Sequence, residues 1–439
     1  MTTYFADRAW LPAGVRSDVR ITLDAGRFTA VETGRPPQTE DVVLPGVVLP
    51  GLANTHSHAF HRALRGRTHA DGGSFWTWRE AMYAVAGRLE PDTYFRLARA
   101  VFSEMALAGV TCVGEFHYVH HRPDGRPYDD PNAMGAAVIG AARAAGLRIT
   151  LLDTCYLAGG LDADGPLPLS PQQRRFGDGD AAGWVDRWHA LRDDDGVRIG
   201  AAIHSVRAVP REQIPTVVGT AQGRPLHVHV SEQPAENEQC LAAYGVSPTR
   251  VLAEAGALGP STTAVHAIYL DPTDVDLLGA SGTSISLCPT TERDLADGIG
   301  PARLLLGAGA PLTLGTDQNA VIDLFEEARG AEMHERLISH RRGRFAAAEL
   351  VGALTSAGHR ALGWADAGRI EPGARADLVA VRSDTVRTAG VRADQVVLVA
   401  TAADVDTVIV DGRPIVAAGR HLTLDVPAEL TGAIAALTA

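Results

Sequence analysis

Residue types that bind metal ions recur along the chain beside short apolar runs. The candidates are His56 and His58 in N-T-H-S-H, His229 in H-V-H-V-S-E, and Asp317 in L-G-T-D. Imidazole nitrogens and a carboxylate make a borderline-hard donor set that suits Zn²⁺ or Fe²⁺ and leaves a position open for water. Such an ion lowers the pKa of bound water from about 15.7 toward about 7, which makes hydroxide available at neutral pH. These residues therefore indicate a hydrolase that activates water on a metal ion.

The spacing of His56 and His58 favours a shared ion. They stand two residues apart and follow the apolar run at residues 42–49. On an extended backbone, residues i and i+2 face the same side, so one strand end can offer both imidazoles to one ion. Glu232, three residues after His229, and His266 in T-A-V-H-A add further polar groups of the same kind.

The absence of lysine narrows the chemistry, because all 40 basic residues are arginine. A lysine Schiff base and a P-loop lysine are excluded. A carboxylated lysine that bridges two metal ions is excluded for the same reason. A site with one metal ion is therefore the expectation.

Composition favours a soluble enzyme. A chain of 439 residues with 46% hydrophobic content can bury a large core, and a barrel of about 250 residues leaves room for a second unit. The net charge of −12 argues against a nucleic-acid or anionic-membrane partner. No run approaches the roughly 18 apolar residues of a membrane span, and the N-terminus lacks a signal pattern, so we expect a cytoplasmic protein. The widely spaced cysteines show no C-x-x-C and predict neither a disulfide framework nor a cysteine metal site.

The pattern of apolar runs predicts two kinds of structure. Short runs bounded by turn residues predict strands near the N-terminus and again at residues 376–381, 396–400 and 405–412. Between them, short apolar strands alternate with helical stretches, which predicts an α/β fold of parallel βα units. We therefore place a small β domain at residues 1–46 plus 365–439 and the hydrolase barrel at residues 47–364. The Gly-, Pro- and Asp-rich stretch 159–179 is predicted to be a loop.

Four motifs carry a resemblance to a known family: P-G-L-A-N-T-H-S-H-A-F, S-F-W-T-W-R-E-A-M-Y, G-E-F-H-Y-V-H-H and H-V-H-V-S-E-Q-P-A-E-N-E. Over essentially its whole length the chain resembles the amidohydrolase superfamily, in the deaminase branch with one metal ion. The two middle motifs are narrower and resemble the N-formimino-L-glutamate deiminases. The resemblance implies a (β/α)₈ TIM-type barrel with a small β-sandwich domain built from both termini, and a homodimer. It also implies a Zn²⁺ enzyme of histidine degradation that converts N-formimino-L-glutamate and water into N-formyl-L-glutamate and ammonia.

The resemblance also assigns roles around the metal ion. The residues implied as ligands are His56 and His58 on the first barrel strand, His229 on the fifth and Asp317 on the eighth. Glu232 is implied as the proton shuttle because an amidine nitrogen leaves as ammonia only when it is protonated, and Asp317 can share that work. His266, at the sixth-strand position, is expected to orient water or substrate. The competing ligand on the fifth strand is His227, which we interpret as a structural or supporting residue.

Substrate recognition is implied by a further set of positions. Arg79, Tyr118 and Arg207 match the carboxylate-binding positions, and arginine suits fixed bidentate binding of a diacid. His204 matches the position that contacts the formimino group. His61 stands where the family commonly has glutamine, so H-A-F-Q-R becomes H-A-F-H-R here. We expect His61 still to approach the substrate, since neutral imidazole also offers one donor and one acceptor. The neighbouring histidines His117, His120 and His121 are expected to lie behind the site or in a loop.

Two other functions stay open at this point. A purine-type deaminase of the same branch, acting on guanine or an adenosine derivative, would share the metal chemistry but need an apolar slot rather than paired arginines. A non-catalytic barrel scaffold would be expected to have lost some of these polar residues. The donor set also accepts Fe²⁺ or Mn²⁺ in place of Zn²⁺.

Overall fold

Two eight-stranded sheets organise the protein. The computed structural model describes residues 1–68, 73 and 75–438, so Ser74 of the second motif lies outside the described residues. The strands are β1 (Thr2–Leu11), β2 (Gly14–Asp24), β3 (Arg27–Glu32), β4 (Val42–Pro50), β5 (Leu52–Ser57), β6 (Val110–His117), β7 (Arg148–Cys155), β8 (Gly160–Asp162), β9 (Gly165–Leu167), β10 (Val197–Ile203), β11 (Leu226–Val230), β12 (Thr262–His266), β13 (Ser284–Leu287), β14 (Leu312–Leu314), β15 (Leu378–Val381), β16 (Val405–Val410), β17 (Arg413–Ala417) and β18 (Arg420–His421).

Helices cover the barrel strands and connect them. They are α1 (Phe75–Ala86), α2 (Pro91–Leu107), α3 (Ala133–Ala145), α4 (Ala181–Trp188), α5 (Ile214–Thr220), α6 (Pro234–Tyr244), α7 (Pro248–Glu254), α8 (Pro272–Ser281), α9 (Pro289–Asp294), α10 (Ala302–Ala308), α11 (Leu324–Ser339), α12 (Ala347–Gly352), α13 (Gly358–Ala361) and α14 (Val426–Thr438). Several begin with proline, whose missing N–H costs nothing in a first turn. Among the described residues, no helix combines the length and apolar character needed to cross a membrane.

The barrel sheet has the strand order β14-β13-β12-β11-β10-β7-β6-β5, and its described pairings are all parallel. A parallel bridge between Ser57 and Asp317 joins the two outermost strands and nearly closes the barrel. Parallel strands covered on both faces are apolar throughout, and every residue of β6 and β7 is buried. Because the strands are parallel, their carboxyl ends meet at one rim, where barrel active sites lie.

The second sheet is built from both chain termini in the order β18-β17-β16-β15-β4-β1-β2-β3. It is mixed, since β1 pairs with β4 in parallel while β15 pairs with β4 antiparallel. The expected fold class, a TIM-type barrel with a small β domain from both termini, is confirmed. The predicted division at residues 46 and 47 falls inside β4, and those domain limits stay a prediction.

One predicted strand is wrong. Residues 396–400 contribute to a 3₁₀ helix, Ala393–Leu398, instead of a strand. Val396 and Val397 are its buried residues, so a short apolar run here marks a buried helical turn. Periodicity alone cannot separate the two possibilities in a run of this length. The predicted loop at residues 159–179 contains the small hairpin β8–β9 and the 3₁₀ turn Arg174–Phe176.

Candidate active site

The rim of the barrel brings the predicted metal-site residues together. His56 lies in β5 and His229 in β11, while His266 ends β12. Asp317 follows β14 and bridges to the end of β5. The segments that the sequence separates by up to some 260 residues are therefore neighbours because adjacent parallel strands end at the same level.

Distances between the candidate ligand atoms fit a small tetrahedral ion. His229 Nε2 lies 3.1 Å from His56 Nε2, which in turn lies 3.2 Å from Asp317 Oδ1. His58 Nε2 lies 3.3 Å from the same carboxylate oxygen. Ligands bound at about 2.0–2.1 Å in a tetrahedron stand roughly 3.3–3.4 Å apart. These three separations are close to those that a zinc ion would require. Among the described residues, the potential ligand atoms of His56, His229, His266 and Asp317 lie within 4.8 Å of one another, and those of His58, His61 and Asp317 form a second such group.

The imidazoles are held in one tautomer by the backbone. His58 Nδ1 lies 2.9 Å from the carbonyl oxygen of Phe116, and His229 Nδ1 lies 2.9 Å from that of His204. Each Nδ1 must donate its hydrogen to the carbonyl, so each Nε2 carries a lone pair toward the centre. Burial lowers the pKa of both rings, which keeps them neutral. A lone pair 3.3 Å from a carboxylate oxygen is repelled unless a cation lies between them, and the donor set therefore fits a divalent metal ion.

Asp317 remains a carboxylate in this buried setting. Burial raises its pKa, but the hydrogen bond from His56 and the positive charge of His266 outweigh burial and hold the pKa below the usual range. Backbone hydrogen bonds hold the segment of Asp317 against the end of β5. The amides of Thr316 and Asp317 donate to the carbonyl of His56 at 3.0 and 2.9 Å. The amide of His58 donates to the carbonyl of Asp317 at 2.9 Å. These bonds lock β5 and β14 in register.

The backbone is strained where two of these side chains project. His266 has φ of 69° and Asp317 has φ of 43°, both in the left-handed region that non-glycine residues rarely adopt. Such conformations cost about 1–3 kcal/mol each and persist only where the surroundings fix them. Their presence at both positions is typical of a functional site.

A chain of polar groups surrounds His266. Its Nε2 lies 3.6 Å from Glu232 Oε1 and 3.9 Å from Asp317 Oδ2, while its Nδ1 lies 3.4 Å from Glu292 Oε1. Burial lowers the pKa of His266, but Glu232 and Glu292 outweigh it and raise that pKa to about 10. Burial raises the pKa of Glu232. The amide of Cys288 also donates to Glu292 at 2.8 Å, which fixes this carboxylate behind the histidine.

Glu292 is a residue that the sequence analysis missed. It lies in P-T-T-E, four residues after Cys288 at the end of β13. The sequence signal that could have identified Glu292 is its position shortly after an apolar strand. Many surface carboxylates occupy such positions, so the signal is weak.

A cavity opens above the candidate metal centre. All five predicted substrate-binding residues line it, together with Glu232 and an aromatic wall. The lining residues are His58, His61, Phe75, Trp78, Arg79, Met82, Tyr83, Tyr118, Tyr156, Phe176, His204, Arg207, His229, Glu232, His266, Leu295 and Asp317.

The two cationic residues of the cavity have different surroundings. Arg207 is buried, with Nη2 3.9 Å from Glu232 Oε2 and Nε 3.6 Å from Glu236 Oε2. Arg79, on α1, lies over the rings of Trp76 and Tyr83, with its guanidinium carbon 5.5 and 5.3 Å from their centroids. The Arg207 guanidinium therefore lies beside Glu232, and the Arg79 guanidinium belongs to an aromatic wall.

His61 replaces the family's glutamine without leaving the cavity. Its Nε2 lies 2.8 Å from the Tyr118 hydroxyl, and its ring centroid is 4.5 Å from that of His58. Burial lowers the pKa of His61 to about 3, so the ring is neutral. His204 packs its ring against Tyr156, with centroids 4.4 Å apart.

The remaining histidines have other partners. His227 Nε2 lies 3.4 Å from the carbonyl of Ala361, away from the ligand atoms. His120 Nε2 donates to the carbonyl of Thr154 at 2.9 Å, and His121 Nε2 lies 2.9 Å from Asp178. His117 lies against His120, with ring centroids 5.1 Å apart.

Sequence comparisons place the chain among known hydrolases. The model of the Amidohydrolase family matches residues 47–415. A formimidoylglutamate deiminase from Pseudomonas aeruginosa is 37% identical over 96% of this chain and 96% of the relative. A 5-methylthioadenosine/S-adenosylhomocysteine deaminase from Pelotomaculum thermopropionicum is 30% identical over 86% of this chain and 82% of the relative.

Structural comparisons agree on the fold. The crystal structure of an amidohydrolase from Brucella melitensis superposes with a TM-score of 0.94 and 31% identity, covering 100% of both chains. The structure of an adenosine deaminase from Xanthomonas campestris with bound zinc gives a TM-score of 0.84 at 24% identity, covering 99% of this chain and 97% of the other. At 24% identity, this structural similarity supports the fold and no statement about function.

Proposed function

The chain belongs to the amidohydrolase family and is a hydrolase acting on C–N bonds, and from that premise we propose that it deaminates N-formimino-L-glutamate. The products would be N-formyl-L-glutamate and ammonia, a step of histidine degradation. The observation that carries the proposal is the pair of guanidinium groups, Arg79 and Arg207, which face one cavity above the metal-type ligands. A substrate with two carboxylates matches two fixed cations.

One metal ion would be held by His56, His58, His229 and Asp317, with Zn²⁺ preferred by the donor set and Fe²⁺ an alternative. When bound, such an ion supplies a water molecule of lowered pKa and hence a nucleophile at neutral pH. The Nδ1 of His266 faces Glu292, and its Nε2 lies 3.9 Å from Asp317 Oδ2. The Nε2 edge of the ring therefore orients water or substrate.

Glu232 moves the protons. The reaction forms a C–O bond at the amidine carbon and breaks the bond to the terminal nitrogen, which leaves as ammonia after receiving both protons of water. Glu232 is buried at the cavity wall, where its carboxylate takes a proton from the water and its acid form delivers it to the departing nitrogen. Burial, which raises the pKa of Glu232, favours the acid form that this delivery needs.

The remaining cavity residues orient the substrate. Arg79, Tyr118 and Arg207 bind the two carboxylates, while His204 contacts the formimino group and His61 approaches the substrate. A hydrogen bond of 2.8 Å between His61 Nε2 and the Tyr118 hydroxyl fixes these two side chains relative to each other.

A second candidate is deamination of an adenosine derivative, because one relative of comparable length carries that activity in its name. The aromatic wall of the cavity, which includes Phe75 and Trp78, would suit a purine ring. A purine offers no carboxylate to the Arg79 and Arg207 guanidinium groups that line this cavity, which favours the diacid.

Ammonia release decides between these functions. The zinc-loaded protein would be assayed with N-formimino-L-glutamate, guanine and 5-methylthioadenosine at equal concentrations. Release from the formimino diacid alone supports the proposal, whereas turnover of a purine alone contradicts it.

The expected homodimer is checked separately by sedimentation of the same preparation.

A further inference from the structure

A hydrogen-bonded wall separates the substrate cavity from an outer cleft. Arg79 and Tyr83 line both spaces, Tyr156 lines the inner cavity, and Gln173 lines the outer cleft. Gln173 is only 3% exposed although it follows a surface loop. Its Nε2 lies 3.1 Å from the Tyr83 hydroxyl and 2.9 Å from the Tyr156 hydroxyl. The side-chain amide of Gln173 thus contacts two tyrosines that lie 90 and 17 residues from it in the sequence.

The orientation of the Gln173 amide is fixed by its other neighbours. The backbone N–H of Ser170 donates to Gln173 Oε1 at 2.9 Å, and the carbonyl of Gly159 lies 3.1 Å from Nε2. A backbone N–H must face an acceptor and a carbonyl must face a donor, so the amide cannot be flipped. Nε2 therefore donates toward the tyrosine side.

The direction of these bonds determines where the hydroxyl protons go. The amide nitrogen of Gln173 carries two hydrogens, one of which the carbonyl of Gly159 accepts, so the oxygens of Tyr83 and Tyr156 share the other as acceptors. Tyr83 and Tyr156 also hydrogen-bond each other, so one hydroxyl proton lies between their oxygens. The other proton points away from Gln173, and both tyrosines line the inner cavity. The remaining hydroxyl donor lies beside the Arg79 guanidinium, which hydrogen-bonds both tyrosines and lies over the Tyr83 ring. Together they make a pocket for an anion.

The two arginines have different neighbours. Arg207 Nη2 lies 3.9 Å from Glu232, the proton-transfer residue, so it is placed for a carboxylate close to the amidine carbon. Arg79 lies in the aromatic wall with Trp76 and Tyr83. The distal, side-chain carboxylate of a glutamate derivative would reach this wall.

We infer that Gln173 is a positioning residue that sets selectivity for the distal carboxylate, by holding the hydrogen-bonded pair of Tyr83 and Tyr156 so that its remaining hydroxyl proton faces the anion bound at Arg79. The inference rests on the proposed function for the identity of the diacid. It assigns selectivity to the loop that follows β7.

The test compares two substrates that differ only at the distal group. N-formimino-L-glutamate carries the carboxylate, and N-formimino-L-glutamine carries a neutral amide. We expect Gln173→Leu to raise KM for the diacid about 10-fold, the usual scale for one hydrogen bond to a charged group, with kcat within about 3-fold. The kcat/KM for the amide substrate should stay unchanged, so the preference for the diacid falls about 10-fold.

Two further variants separate this role from a purely structural one. Gln173→Glu keeps the size and the acceptor for Ser170 N–H but replaces the donor, and it should lower the preference at least as much. Gln172→Leu alters the exposed neighbour on the same loop and should leave the preference unchanged. Unchanged preference in Gln173→Leu and Gln173→Glu, or an equal loss with both substrates, would overturn the inference.

A binding measurement distinguishes failure of this inference from failure of the proposed function. If the wild-type protein releases no ammonia from either substrate, the proposed function fails, and calorimetric titration with glutarate then tests the pocket. Glutarate binding that weakens about 10-fold in Gln173→Leu and not in Gln172→Leu supports the anion pocket. Equal affinity in all three proteins, or no binding to the wild type, overturns it.

Discussion

Arg148 and Asp377 form a buried ion pair between the barrel and the terminal sheet. Each is 1% exposed, and the guanidinium contacts both carboxylate oxygens, with Nη1 2.8 Å from Oδ1. Asp377→Asn keeps the shape and removes the charge. Breaking a buried pair in this way costs about 3–5 kcal/mol because the remaining charge loses its partner. Asp411, 3.0 Å from Arg148 Nη1, stays as a second anion, so we expect the lower end, about 3 kcal/mol.

The assay is urea unfolding at pH 7 followed by tryptophan fluorescence. Trp364 reports on the region directly, since the Arg148 guanidinium carbon lies 5.3 Å from its ring centroid. The matched control is Asp384→Asn, which removes an exposed partner of Arg382 and should change the free energy of unfolding by less than about 1 kcal/mol. A loss below about 1 kcal/mol in Asp377→Asn would refute the assignment of this pair as a major stabilising contact.

The pH dependence of the same difference follows from the pKa of Asp377. Burial raises this pKa, but Arg148 outweighs burial and holds it below the usual value of 3.8. A carboxylate with a depressed pKa in the folded state stabilises fully above the unfolded pKa and loses that contribution as pH falls through the folded pKa. The stability difference between wild type and Asp377→Asn should therefore be constant near neutrality and shrink below about pH 4. A difference that grows on acidification contradicts this sign.

Four further predictions concern the active site. Glu232→Gln should lower turnover at least about 10²-fold, the lower range for lost general acid–base catalysis, with the metal content by elemental analysis unchanged. Arg79→Gln should raise KM for the formimino diacid by about 10-fold or more with a smaller change in kcat, as measured by steady-state ammonia release. His61→Gln should leave most of the activity in the same assay, because glutamine also offers one donor and one acceptor at that position. Dialysis against a chelator should abolish activity, and Zn²⁺ should restore it, since the imidazole and carboxylate atoms already lie 3.1–3.3 Å apart along the series His229, His56, Asp317 and His58.

The metal-type residues could be predicted because their signal is local. His56 and His58 owe their shared direction to a two-residue spacing on one strand, a property that the sequence displays directly. His229 could be separated from His227 only through its distance to Glu232 in the motif, and the structure places His227 beside Ala361. Strand identity was less secure, as the 3₁₀ helix Ala393–Leu398 shows.

Supporting residues could not be predicted because their partners are distant in the chain. Gln173 meets Tyr83 across 90 residues, and Arg148 meets Asp377 across 229. In sequence, Gln173 is a polar residue in a predicted loop, a setting in which most glutamines are solvated. Only the packing of the loop after β7 against α1 gives it two tyrosine hydroxyls to hold.

The division of labour between strands and loops explains how one barrel can serve different deaminases. The metal-type ligands sit at strand ends, and hydrogen bonds between β5 and the segment after β14 fix their positions. The candidate selectivity residues sit on helix α1 and on the loops after β6, β7 and β10, which can change without disturbing those bonds. A relative that shares about 30% identity and is named for a different substrate is what such an arrangement allows. Substrate selectivity should therefore depend on the wall formed by Arg79, Tyr156 and Gln173. Hydrolysis itself should depend on the metal-type ligands at the rim of the barrel.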